Sequence, residues 1–142
     1  MSGRGVSQFF TALFAVAAFF WMGAVFAQTD LGPTLSKIQR NGTIYLGHRE
    51  GSTPFSYIQN GDEGEVPQGF SWDICQKVVD GIRERLGRPD LKVVPLPLVA
   101  ASRLMMVKLG IADLECGVTT NTRARQKMVS FSNTFFVAQV KI

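Results

Sequence analysis

Ile74, Val78, Ile82 and Leu86 recur every four positions, with Cys75 and Val79 beside them. That spacing gathers apolar side chains on one face of a helix. Ser71 is placed to cap its start, and Gly87 to stop it. Upstream the pattern changes. Leu35 and Ile38 mark a short amphipathic segment, Asn41-Gly42 is a turn signal, and the run from Thr43 to about Gly47 reads as a strand. Residues 59–69, "QNGDEGEVPQG", are polar and rich in turn formers, which predicts an exposed loop or hairpin tip. Downstream, "LKVVPLPL" at 91–98 reads as a second strand, whose prolines place it at a sheet edge or end it early. A short helix over 102–109 is stopped by Gly110, and "ADLECG" at 112–117 forms a third strand. "VTTNTRARQKM" leads through a loop into a helical turn, and "VSFSNTFFVAQVKI" is extended. Strands alternating with helices predict an α/β fold, a parallel sheet with flanking helices.

The first residues stand apart from this pattern. Arg4 is followed by an almost wholly apolar run over 6–27 that ends in Val25-Phe26-Ala27. A basic start, an apolar centre and small residues near the end describe a secretory signal peptide over 1–27, cleaved before Gln28. The run 9–27 also reaches the length of a membrane-spanning helix, about 17–25 residues, so an uncleaved anchor is the alternative. On either reading residues 28–142 lie outside the cytoplasm, in the periplasm after Sec-type export.

The formal net charge of +4 comes from bases scattered along the chain, which excludes a nucleic-acid-binding stripe. One His and two Cys offer no metal-binding spacing. An oxidising compartment permits a Cys75–Cys116 disulfide. Both cysteines fall in apolar patterns, which favours two buried free thiols instead. No Ser-His-Asp, Cys-His or paired-carboxylate arrangement is visible, so no catalytic residue and no cofactor is expected. Glu50 and Glu115, the carboxylates nearest the strand ends, read as structural.

The arginines carry more information. In open α/β sheets, ligands bind beyond the carboxyl ends of the strands. Arg49 follows the first strand, Arg103 follows the second, and Thr119, Thr120 and Arg125 follow the third. Arg103 falls in the first turn of its helix, where the macrodipole disfavours a cation; a bound anion would satisfy both. Thr120, Arg125 and the backbone near Thr122, a candidate N-cap, could hold one carboxylate. The rim so formed suits more than one negative group. His48 reads as a satisfied side chain at a strand end, and Phe55 and Tyr57 as core or pocket wall.

"GHREGSTPFSY", "GFSWDIC", "SRLMMVKLGIADLECG" and "TTNTRARQKMVSFS" resemble, in order and spacing, the N-terminal half of the periplasmic amino-acid-binding proteins of ABC transporters, solute-binding protein family 3. The likeness is strongest to the glutamate/aspartate-binding branch and covers about 35–142. It implies the first lobe of a type II periplasmic-binding-protein fold, truncated before the second lobe, with an acidic amino acid as ligand and transporter membrane subunits as partners. Arg125 with Thr120 would hold the α-carboxylate, and Arg49 and Arg103 the side-chain carboxylate. Ser52, Phe55 and the Val118 backbone would complete the ligand set. Ala100 and Val118 stand where the branch typically has serines, which widens the expected ligand to an acidic amino acid or dicarboxylate. A membrane-anchored sensing domain and a dehydratase-like periplasmic enzyme are the alternatives on the same fold.

Overall fold

The computed structural model describes residues 30–61 and 64–138. The apolar leader over 1–27 and the last residues, 139–142, lie outside the described residues. Helix α1 (Gly32–Asn41) is longer than the amphipathic segment expected at 35–38, because Pro33 sits in its first turn and Gly42 closes it in a left-handed conformation. Strand β1 (Thr43–His48) follows, then β2 (Gly51–Ser52), β3 (Ser56–Gly61) and β4 (Gly64–Gln68). Helix α2 (Phe70–Leu86), strand β5 (Lys92–Pro97), helix α3 (Arg103–Lys108), strand β6 (Leu114–Glu115) and helix α4 (Arg123–Gln126) complete the order.

β1 is the middle of a three-stranded sheet ordered β5-β1-β6. Both pairings are parallel, with Ile44 opposite Val93 and Gly47 opposite Glu115. The carboxyl ends of all these strands therefore share one rim, and each leads into an arginine-bearing connection. β5 lies at the edge, as its prolines predict. The N–H groups of Lys92 and Leu98 point inward, donating to Gly42 O (3.1 Å) and His48 O (2.9 Å). Pro95 and Pro97 have the opposite parity and so face the free edge, where a missing N–H breaks no ladder bond. β6 is shorter than the strand expected at 112–117. Its pairing is carried on by Asp113 N–H to Tyr45 O (2.9 Å) and Cys116 N–H to Gly47 O (2.7 Å).

α2 buries Trp72, Cys75, Val79 and Leu86 against this sheet, with Ile82 packed beside them. Val78, expected on the buried face, is 42% exposed. The correction has a geometric cause: at 3.6 residues per turn, steps of four drift about 40° each, so the row Ile74-Val78-Ile82-Leu86 crosses the helix instead of following the core. Ser71 is likewise not the cap. It is buried inside the first turn, and Gly69 occupies the N-cap position. The helix-start N–H groups of Phe70 and Ser71 donate to the carbonyls of Pro54 (3.1 Å) and Phe55 (2.9 Å). Gly69 adopts φ +116°, and a Cβ there would meet Phe55 O at 2.5 Å and Pro54 O at 2.8 Å. Gly69→Ala should therefore cost about 2–3 kcal/mol, read as a fall in the urea midpoint at unchanged slope.

The core comprises Ile38, Ile44, Leu46, Trp72, Cys75, Val79, Leu86, Leu91 and Cys116. Cys75 and Cys116 are disulfide-bonded, with Cα atoms 6.1 Å apart. The reading as two free thiols is overturned: burial was correct, but the two side chains meet where α2 crosses the end of β6. At the opposite end of β6, the Asp113 carboxylate pairs with Lys37 of α1 and accepts from Tyr45 N–H (2.9 Å). Strands β2, β3 and β4 form a second, antiparallel sheet, in which the described part of the polar stretch, 59–61 and 64–68, is paired between β3 and β4. Residues 129–138, expected to be extended, join no strand ladder among the described residues.

Candidate arginine-lined rim

Arg49 leaves the end of β1 with its backbone tied down. Its N–H donates to Ser56 Oγ (2.9 Å), a fully buried hydroxyl on β3. Its guanidinium Nη1 donates to Leu98 O, beyond the end of β5. Neighbouring His48 is buried; its Nδ1 lies 3.3 Å from Arg49 O, and its ring is edge-on to Trp72 at 5.9 Å. This is the satisfied strand-end histidine that its position predicts.

Arg103 begins α3, and the first N–H groups of that helix start are already engaged. Val99 O already accepts from Ser102 N–H (3.3 Å) and Arg103 N–H (3.1 Å). The Arg103 side chain has its Nε buried without a hydrogen-bond partner. Thr122 caps α4 as expected, accepting from Arg125 N–H (3.3 Å). The Arg125 guanidinium folds back to donate to Thr120 O (2.8 Å), which fixes Arg125 and Thr120 as one unit.

The remaining expected site residues are spread more widely. Ser52 O accepts from Phe55 N–H (2.8 Å) in the turn between β2 and β3. Phe55 is half-buried and meets Phe70 (6.4 Å) and Phe136 (4.7 Å) edge-to-face, with Phe135 against Phe70 at 5.9 Å. Its ring thus belongs to an aromatic cluster. Val118 is exposed, with its backbone just past the Cys-Gly turn. A shallow hollow lined by Asp80, Arg83, Glu84, Gly87 and Pro89 shares no residue with the rim and carries none of its chemistry.

Sequence reasoning passed over Glu115. Its Oε1 is buried without a hydrogen-bond partner, so a plain structural role does not account for it. Burial pushes its carboxyl above the ordinary range, against the opposing pull of the Thr119 hydroxyl and of Arg103, Arg49 and Arg125. The stability this group contributes is therefore fully present below the ordinary carboxylate value and lost as pH rises through the raised one. Arg103, Arg49 and Arg125 thus all favour the charged form of Glu115, against its burial. Glu115 was legible as a carboxylate near the end of the third strand, but its burial was not.

Parallel strands ending at one rim, with helices on the sheet and cations drawn from separate connections, define the first lobe of a type II periplasmic binding protein. Residues 44–142 match the bacterial extracellular solute-binding proteins, family 3, and the chain belongs to that family. It is 39% identical over 137 residues to the glutamate/aspartate import solute-binding protein of Escherichia coli, covering 93% of this chain and 43% of that protein. It is 46% identical over 103 residues to the L-glutamate/L-aspartate-binding protein of Pseudomonas aeruginosa, covering 72% of this chain and 33% of that protein. The solved solute receptor for L-cysteine of Neisseria gonorrhoeae superposes with a TM-score of 0.59 at 31% identity, over 71% of this chain and 38% of that one. The chain thus spans less than half the length of the curated relatives it matches.

Proposed function

We propose that this chain supplies the anion-holding face of an extracytoplasmic binding site for an acidic amino acid, which an ABC transporter's membrane subunits then receive. One observation carries the reading: the parallel strands β1, β5 and β6 end on one rim, and each leads into a connection that bears an arginine, Arg49, Arg103 or Arg125. Guanidinium groups gathered in this way repel one another, and an incoming anion relieves that repulsion. Arg125 with Thr120 holds the α-carboxylate, and Arg49 with Arg103 the side-chain carboxylate. Ser52, Phe55 and the Val118 backbone border the ligand. The names of the Escherichia coli and Pseudomonas aeruginosa relatives support glutamate and aspartate as ligands. Export by a signal peptide over 1–27 accompanies the role.

Isothermal titration with glutamate, aspartate, glutamine and asparagine tests this. The acids should bind about a hundredfold tighter than the amides, roughly 2–3 kcal/mol, because only a second carboxylate can pair with Arg49 and Arg103. Arg49→Met or Arg103→Met should shrink that preference. Arg125→Met should weaken acid and amide alike, since both carry an α-carboxylate. Equal losses for glutamate and glutamine in Arg49→Met and Arg125→Met would remove Arg49 from the side-chain carboxylate.

A further inference from the structure

Glu115 is held by the strand ladder and by the residue that follows it. Its backbone sits opposite Gly47 in the β1–β6 ladder, and the next residue, Cys116, is fixed by both a backbone bond to Gly47 and the disulfide. Gly117 then leaves room for the side chain. A Cβ on Gly117 would stand 2.2 Å from Glu115 Oε1 and 2.9 Å from Arg49 Cγ, so the carboxylate and the Arg49 stem lie together over that glycine. Glu115 Oε1, Arg49 Nε and Arg103 Nε are all buried without hydrogen-bond partners, and the Thr119 hydroxyl pulls on the Glu115 carboxyl. Among the described residues, no ion pair joins Glu115 to any of the guanidinium groups.

A carboxylate with a buried oxygen, lying beside the Arg49 stem yet ion-paired to no guanidinium group among the described residues, is an odd structural support. Arg49 and Arg125 have backbone carbonyls as anchors of their own. What Glu115 does change is the net charge that an arriving anion meets. We infer that Glu115 is a specificity-determining residue of the rim, a built-in carboxylate that competes with an acidic ligand for Arg49 and Arg103 and takes up a proton when the ligand arrives. This rests on the proposed anion-binding reading of the rim. The charged groups acting on Glu115 are Arg103 from α3, Arg49 from the end of β1 and Arg125 from α4. A ligand carboxylate places a like charge near Glu115 and draws those guanidinium groups to itself. Both effects favour the protonated carboxyl, in the direction that burial has already set. Affinity for an acidic ligand consequently falls as pH rises through the Glu115 titration, and affinity for glutamine falls less.

The test is calorimetric titration of the protein with glutamate, in buffers of different ionisation enthalpy across mildly acidic to neutral pH. The wild type should take up a fraction of a proton on binding glutamate, and less on binding glutamine. Glu115→Gln should abolish the uptake, flatten the pH profile and bind glutamate on the order of tenfold tighter at neutral pH. Binding of glutamate by the wild type without proton uptake overturns the inference and leaves the anion reading standing. So does equal uptake in Glu115→Gln, or weaker glutamate binding by that variant. Absence of binding by either acid or amide overturns both. The wild-type measurement decides even if the variant does not fold.

Discussion

Replacing Cys75 and Cys116 together by alanine is expected to lower the stability of this lobe by about 4 kcal/mol, from the loop-entropy relation for a closure of this length. The bridged residues are 41 apart in sequence, so the bond removes a large share of the freedom of the unfolded chain. Both side chains are also core residues, and the alanines leave small voids between α2 and β6. Urea unfolding followed by tryptophan fluorescence reads the loss directly, since Trp72 packs in the same core. Reduction of the wild type should reproduce most of it. Unchanged midpoints in both experiments would show that the bond is not formed in the folded protein.

Lys37→Met should cost about 3 kcal/mol, because it leaves a buried carboxylate without its cation. The Asp113 side chain is only 1% exposed, whereas that of Lys37 is 28% exposed. Asp113→Leu removes the charge but strands Tyr45 N–H, which the carboxylate accepts at 2.9 Å. It frees Lys37 to turn toward water, so its cost, about 2 kcal/mol, should be the smaller. The double substitution should cost less than the sum of the singles, because the second change removes the charge that the first leaves unpaired. Strict additivity in chemical denaturation would mean that Lys37 and Asp113 do not act as a pair.

Much of the rim could be read from local pattern. β1 is a short apolar run bounded by Asn41-Gly42 and a loop, so the position of Arg49 at its end follows from strand length alone. The caps at Gly87 and Thr122 were legible for the same reason, since their partners lie within one turn. What was not legible depends on distant chain. Gly69 caps α2 because Pro54 and Phe55 supply carbonyls from another connection, which no reading of Ser71 and its neighbours could show. The cysteines pair because α2 crosses β6 at one particular residue. Glu115 looked ordinary because a carboxylate after a strand usually meets water. Arg49, which arrives from another connection, lays its stem beside that carboxylate over Gly117.

The prolines of β5 have a consequence for how this lobe behaves in company. An edge strand offers unpaired N–H and C=O groups to any other strand that approaches, and that is how sheets from different molecules join into aggregates. On β5 the outward-facing positions are Val93, Pro95 and Pro97, by the parity that Lys92 and Leu98 set. Two of those three positions carry no N–H at all. A neighbouring strand would find one donor along the whole edge, with the charged Lys92 beside it. β5 keeps its ladder bonds to β1, while it offers few donors to a strand outside the lobe. Crowded copies of this chain are thereby protected from pairing edge to edge along β5.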